Sequence, residues 1–288
     1  MPPPSGKDDE TLAQIAAALS RLADRFAPPP PAPADLTAAA AFVWRPAAGG
    51  FKPVAHVSRV PLELILGVDR QRDALLANTR RFAAGQPANN ALLWGARGTG
   101  KSALVKAIHA SVSETAPTLK LIEVEREDLG HLDALLASLE GSGARALVFI
   151  DDLGFEEGDE NQRALKPVLE GGVAGRPDNV IVYATSNRRH LVARDARENS
   201  PTDLIWSDTA EERLSLADRF GLWLGFHAMD QDLYLDIVRA YAARFGLTCD
   251  DLDQRALTWS LQRGARSGRT AWQFILHLGA TLDKPVGF

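Results

Sequence analysis

The stretch Gly95-Ala96-Arg97-Gly98-Thr99-Gly100-Lys101-Ser102 fits the pattern G-x-x-x-x-G-K-[ST]. Its glycines let successive backbone N–H groups turn inward around phosphate oxygens. Lys101 then reaches the β- and γ-phosphates, and the Ser102 hydroxyl binds Mg2+. The surroundings agree. ANNALLW, residues 88–94, reads as a short apolar strand that runs straight into the loop, and a helix is predicted over Lys101–Val112. That helix aims the positive end of its dipole at the same anion. Such a loop lies on the surface, so the charge of Lys101 is expected to contribute little to stability.

Working outward, LKLIEVE (119–125), RALVFID (145–151), VIVYATS (180–186) and LWLGF (222–226) read as four more strands. Helices are predicted between them over 129–141, Asn161–Glu170 and Glu211–Arg219, and another precedes the loop within 62–85. Alternation of this kind predicts an α/β fold, a five-stranded parallel sheet with helices on both faces. From Asp230 the β signal ends, and helices are predicted over 230–245, 251–263 and 270–282. Residues 35–60 carry no clear pattern. Near the start, Leu12, Ile15, Leu19, Leu22 and Phe26 share one face of a helix over 11–26, followed by the Pro28–Pro31 run, which favours a stiff linker. The expected organisation is an amphipathic helix and linker over 1–34, a nucleotide-binding α/β domain over 35–228 and a helical lid over 229–288.

A nucleotide loop needs a carboxylate to hold its metal. Leu147-Val148-Phe149-Ile150-Asp151-Asp152 delivers two at the carboxyl end of a strand, where open α/β sheets bind ligands. Asp151 is expected to bind Mg2+ through water, and Asp152 to orient or deprotonate an attacking water. Glu156 and Glu157 are nearby alternatives for the second role.

Composition narrows the class. The chain has 288 residues, 45% hydrophobic and 24% charged, which excludes a chain disordered throughout. No apolar run reaches the ~18–20 residues a membrane span needs, and no signal peptide opens the sequence. A single cysteine, Cys249, excludes an internal disulfide and a cysteine-built zinc site. The expected compartment is the cytoplasm. A net charge of −5 is no nucleic-acid footprint for the whole chain.

Together these features resemble the AAA+ ATPases, P-loop NTPases with a helical lid. The match covers roughly residues 60–285. Leu66-Gly67-Val68-Asp69 resembles the segment beside the adenine. Asn187, ending YATSN, matches the sensor 1 position that places the water or γ-phosphate. Asp218-Arg219-Phe220-Gly221 resembles the stretch carrying an arginine finger, and Ser267-Gly268-Arg269-Thr270-Ala271 resembles sensor 2. More narrowly, DDLGFEEGD, LKPVLEGG, ATSNRRHL and EERLSLADRFGLWLGF resemble a bacterial family named domain of unknown function 815, whose members are ATP-binding AAA+ proteins.

The resemblance implies an ATP hydrolase that uses ATP and Mg2+, releases ADP, forms a homo-oligomer and switches the conformation or assembly of a protein partner. Its catalytic residues are Asp152, Asn187 and Arg219. Its nucleotide is bound by Gly95, Ala96, Arg97, Gly98, Thr99, Gly100, Lys101, Ser102 and Arg269, and its metal by Ser102 and Asp151. Many AAA+ proteins carry Glu where this chain has Asp152, one methylene shorter, which implies a slow enzyme. The alternatives are a nucleotide-gated adaptor and a nucleic-acid-associated ATPase similar to helicase loaders and transposition helpers. RGARSGRTAW (263–272) holds three arginines and a Trp, but it overlaps the sensor 2 segment, so its charge is already explained by ATP. The segment VEREDLGHL lacks the aromatic pore loop of threading unfoldases.

Overall fold

A computed structural model describes Gln14 and residues 34–154, 165–166, 168–169, 176–187 and 218–288. Its centre is set by two strands, β5 (Arg145–Ile150) and β6 (Val180–Ser186). They are apolar along almost their whole length and buried on both faces, as parallel strands covered by helices must be. Around them lie β1 (Ala41–Arg45), β2 (Gly50–Val54), β3 (Ala91–Gly95), β4 (Leu119–Val124) and β7 (Leu222–Phe226). The spatial order is β2-β1-β4-β5-β6-β3-β7. All neighbours are parallel except the β1–β2 pair.

Among the described residues the sheet therefore has seven strands, not the five expected. The five expected strands form one contiguous block, and the two additional ones are a hairpin from residues 35–60. Their alternation is only five residues long in each strand and is broken by a 3-10 turn at Pro46–Ala48, too short a run to show a period. Phe51 of β2 packs on Trp44 and Phe42 of β1, with ring centroids 4.9 and 6.2 Å apart. Lys52 and Pro53 lie on the outer strand, a composition that blunts a sheet edge.

Helices α1 (Asp69–Ala83) and α2 (Lys101–Ser113) cover one face of the sheet, and α3 (Leu132–Leu139) covers the other. Leu165, Lys166, Val168 and Leu169 are helical, with Leu165 and Val168 buried on the α3 side. The rest of the helix expected over 161–170 lies outside the described residues. So do residues 211–217 and, apart from Gln14, the N-terminal helix and linker. Asp218 and Arg219 form a turn, not the end of a helix.

After β7, α4 (Gln231–Arg244), α5 (Leu252–Arg263) and α6 (Gly268–Thr281) bury their apolar faces in a third cluster around Tyr234, Val238, Phe274 and Leu278. Asp230 and Ser267 cap α4 and α6, accepting from the N–H groups of Leu233 and Thr270. Among the described residues no helix is long and apolar enough to cross a membrane.

Candidate nucleotide-binding site

The strand order decides which side chains meet. β6 lies between β3, which feeds the phosphate loop, and β5, which ends at Asp151. Loop and carboxylates are thus two strand spacings apart, about 10 Å. Whatever ends β6 must bridge them; β6 ends in Thr185 and Ser186, and Asn187 follows directly.

Gly95 opens the loop at φ +139°, and a Cβ there would stand 1.9 Å from the Phe226 carbonyl oxygen of β7. Only glycine lets the chain turn against its neighbouring strand at that point. Lys101 then folds back across the loop. Its Nζ donates to the carbonyls of Gly95 (3.0 Å) and Ala96 (2.8 Å) and to Asn187 Oδ1 (3.0 Å). The residue is only 6% exposed, so its charge is part of the loop's architecture and not a surface feature. Burial holds its pKa below the ordinary lysine value, against the opposing pull of Asp151 and Asp152.

Asp151 Oδ1 accepts from Ser102 Oγ and from Thr185 Oγ1, both at 2.6 Å. Thr185 Oγ1 in turn accepts from the Asp152 backbone N–H at 2.9 Å. One buried hydroxyl thus fixes both acids. Asp152 is held at φ +54°, in the left-handed region that Asp tolerates better than most residues. Its carboxylate is bound on both oxygens: Asn187 Nδ2 donates to Oδ1, and Arg97 Nη2 lies 3.5 Å from Oδ2. Asn187 therefore touches Lys101 with its oxygen and Asp152 with its nitrogen.

Across the loop stands the N-terminus of α6. The Gly268 N–H donates to the Gly98 carbonyl at 2.9 Å. Gly98 sits at φ +76°, and a Cβ there would be 2.7 Å from Ser267 Cβ. This docking brings Arg269 to the cleft wall. The cleft, of about 420 Å3, has a polar end at the loop, Asp151, Asp152 and Asn187, and an apolar end of Ile65, Leu66, Ile237, Tyr241 and Trp272. That division suits a triphosphate at one end and a base at the other.

The donor set fits Mg2+. Among the described residues no cluster of three His, Cys, Asp or Glu could cage a metal. Mg2+ in a nucleotide site needs no such cage, because one or two carboxylates, phosphates and water complete its shell. The hydroxyl–carboxylate pair Ser102–Asp151 is of that kind.

Arg219 is not in this cleft. It precedes β7, whose Leu222 pairs with Ala91 at the start of β3, while the loop follows Gly95, paired with Phe226. Arg219 is therefore at the opposite edge of the sheet from its own chain's loop. Glu156, Glu157, Arg188, Arg189 and His190 lie outside the described residues. Sequence reasoning missed Thr185, Tyr241 and Trp272. Thr185 sat in plain view within YATSN, but only the strand order makes its position matter.

The chain is similar in structure to the Aeropyrum pernix ORC1 protein solved in complex with DNA. The TM-score is 0.55 at 15% identity, over 76% of this chain and 63% of that one. The chain thus spans less than two thirds of that protein. It also matches the RuvB Holliday junction branch migration motor of Thermotoga maritima, at a TM-score of 0.44 and 17% identity over 77% and 72% of the two chains. The ORC1 likeness is one of fold, and the fold is similar to that of AAA+ P-loop ATPases. No curated protein matches the chain. The sequence model of one family, described as protein of unknown function (DUF815), matches residues 37–282, from the hairpin through the phosphate loop to the end of α6. The chain belongs to that family.

Proposed function

We propose that this chain is an AAA+ ATP hydrolase that converts ATP to ADP and phosphate and uses the cycle to switch a protein partner. The observation that supports this reading is the convergence of Lys101, Ser102–Asp151 and Asp152–Asn187 at one sheet edge. Backbone N–H groups of residues 95–100 wrap the phosphates. Lys101 exchanges the Gly95 and Ala96 carbonyls for β- and γ-phosphate oxygens. Ser102 and Asp151 would hold Mg2+, which when bound would supply positive charge beside the transferring group. Asp152 orients the attacking water and accepts its proton as oxygen adds to the γ-phosphorus and the bond to the β-phosphate oxygen breaks. Asn187 holds the carboxylate, and Arg269 faces the phosphates from α6.

Residues 229–288 act as a lid, since α4 and α6 wall the cleft. The position of Arg219, at the far edge of its own sheet, supports a homo-oligomer in which it completes a neighbour's site. Partner binding by nucleic acid is the less supported reading. Arg263 lies over one face of Trp259 and His277 stacks on Trp259, while Trp272 packs against Tyr241 and Phe288. The aromatics near the arginine-rich segment are thus already engaged, whereas strand binding needs open stacking faces.

The test is phosphate release from ATP with Mg2+, compared with Asp152→Asn. The expected result is Mg2+-dependent turnover in the wild type and ATP binding without hydrolysis in the variant. Turnover unchanged by Asp152→Asn would move the base elsewhere, and absence of nucleotide binding in the wild type would overturn the reading.

A further inference from the structure

Arg97 occupies a loop position at which the sequence pattern specifies no side chain. Its side chain is nevertheless placed in the site. Nη2 lies 3.5 Å from Asp152 Oδ2, and Arg97 lines the cleft together with Lys101, Asp151 and Asn187. The guanidinium is thus attached to the loop that wraps the phosphates, and its partner is the carboxylate that stands where water must attack. Both side chains are exposed, Arg97 by 76% and Asp152 by 55%. A pair so exposed is weak and costs little to separate. Lys101 differs: its ammonium is held by two loop carbonyls and Asn187. Arg97 is the more readily exchanged cation of the two. A guanidinium that binds one oxygen anion binds a phosphate equally well, and its planar fork suits that geometry.

We propose that Arg97 reads the terminal phosphate in cis, exchanging Asp152 Oδ2 for a γ-phosphate oxygen when ATP binds. The proposal rests on the hydrolase reading above and adds a discriminating residue to it. The exchange has two consequences. ATP gains a contact that ADP lacks, and Asp152 Oδ2 is released to accept from water. No bond is made or broken by Arg97 itself. Its cation is supplied by the same subunit, so it acts independently of any contribution from a neighbour's Arg219.

The experiment measures affinities of the full chain for ADP and for a non-hydrolysable ATP analogue, both with Mg2+, by calorimetry. The wild type is compared with Arg97→Ala, Arg97→Lys, Asp152→Asn and the Arg97→Ala/Asp152→Asn double variant. Arg97→Ala is expected to weaken the analogue about tenfold and ADP by at most about twofold, the scale of one charge-assisted hydrogen bond; Arg97→Lys falls between. Asp152→Asn is expected to tighten the analogue more in the wild-type background than in Arg97→Ala, a non-additive cycle. Equal losses for both nucleotides would mean a distorted loop, and an unchanged ratio or an additive cycle would mean an uninvolved surface charge. Each overturns the proposal. A wild type that binds neither nucleotide would instead overturn the hydrolase reading.

Discussion

Replacing Thr185 with valine removes one hydroxyl and nothing else of comparable size. Thr185 is 2% exposed, donates to Asp151 Oδ1 at 2.6 Å and accepts from the Asp152 N–H at 2.9 Å. The first bond is charge-assisted, worth roughly 1.5–3 kcal/mol, and the second about 1 kcal/mol. Water reaches the exposed carboxylate of Asp151 and replaces part of the loss, so the expected destabilisation is about 2 kcal/mol. In a chain of this size that lowers Tm by roughly 4–8 °C. The functional effect is larger than the thermodynamic one. The N–H bond is what fixes the left-handed Asp152, and its loss lets the carboxylate drift from the attack line. A misplacement of ~1 Å costs on the order of 100-fold in rate. Turnover of Thr185→Val should therefore fall 10- to 100-fold, while ATP binding, made by the loop and Lys101, changes little. Thr185→Ser restores the hydroxyl and should recover most of the rate. The assays are thermal melting, calorimetric ATP affinity and phosphate release. Wild-type turnover and Tm in Thr185→Val would refute the claim that this hydroxyl positions the acids.

Lys101→Ala should abolish tight ATP binding and also destabilise the protein by about 1–3 kcal/mol, because it leaves buried loop carbonyls without their donor; a denaturant titration that matches the wild type would contradict the second half. Arg219→Ala should leave ATP affinity per subunit unchanged but strongly lower turnover, and mixing it with Asp152→Asn should restore part of the activity. A mixture that stays inactive, with concentration-independent wild-type turnover, would make Arg219 structural. His109, buried on α2, has its pKa pushed down to about 4, chiefly by desolvation. The unfolded chain takes up a proton below pH ~6.5 that the native state refuses, so stability is full above that pH and is lost as pH falls from ~6.5 to ~4, by about 3 kcal/mol in all. His109→Leu should flatten that limb of the pH–stability curve, and a limb of unchanged steepness would assign it to other groups.

Much of this site was legible because its elements carry strong local signals. The phosphate loop is a fixed spacing, and the five strands of the central block are short apolar runs between turns. Their bounds in the structure differ from the expected ones by at most a few residues. The hairpin β1–β2 was not legible, since its stability comes from Phe42, Trp44 and Phe51 packing together across the pair and not from any period within either strand. Nor was Thr185. Its role follows from β6 lying between β3 and β5, and a linear sequence does not state which strand lies between which. The motif assigns Lys101 a role in binding but not its burial, because the fold-back onto Gly95 and Ala96 is a loop conformation and not a pattern.

The same distinction explains why Gly98 matters twice. Within the loop motif its glycine serves a turn, and its φ of +76° requires one. The structure gives it a second task, since Ser267 approaches to where a Cβ would stand and Gly268 bonds its carbonyl. The loop and the helix that carries Trp272 into the cleft are thereby in direct contact. Trp272 lies one turn further along α6 and packs against Tyr241 of α4. The N-terminus of α6 is thus seated on the loop, and α6 packs through Trp272 on Tyr241 and the third hydrophobic cluster behind it. Well-packed clusters of this kind transmit strain instead of absorbing it. One path from the loop to the C-terminal helices therefore runs through this close contact, in which Gly98 must be glycine: a Cβ there would stand 2.7 Å from Ser267 Cβ, whereas a Cβ at Gly268 would meet the Gly98 carbonyl at an ordinary 3.5 Å.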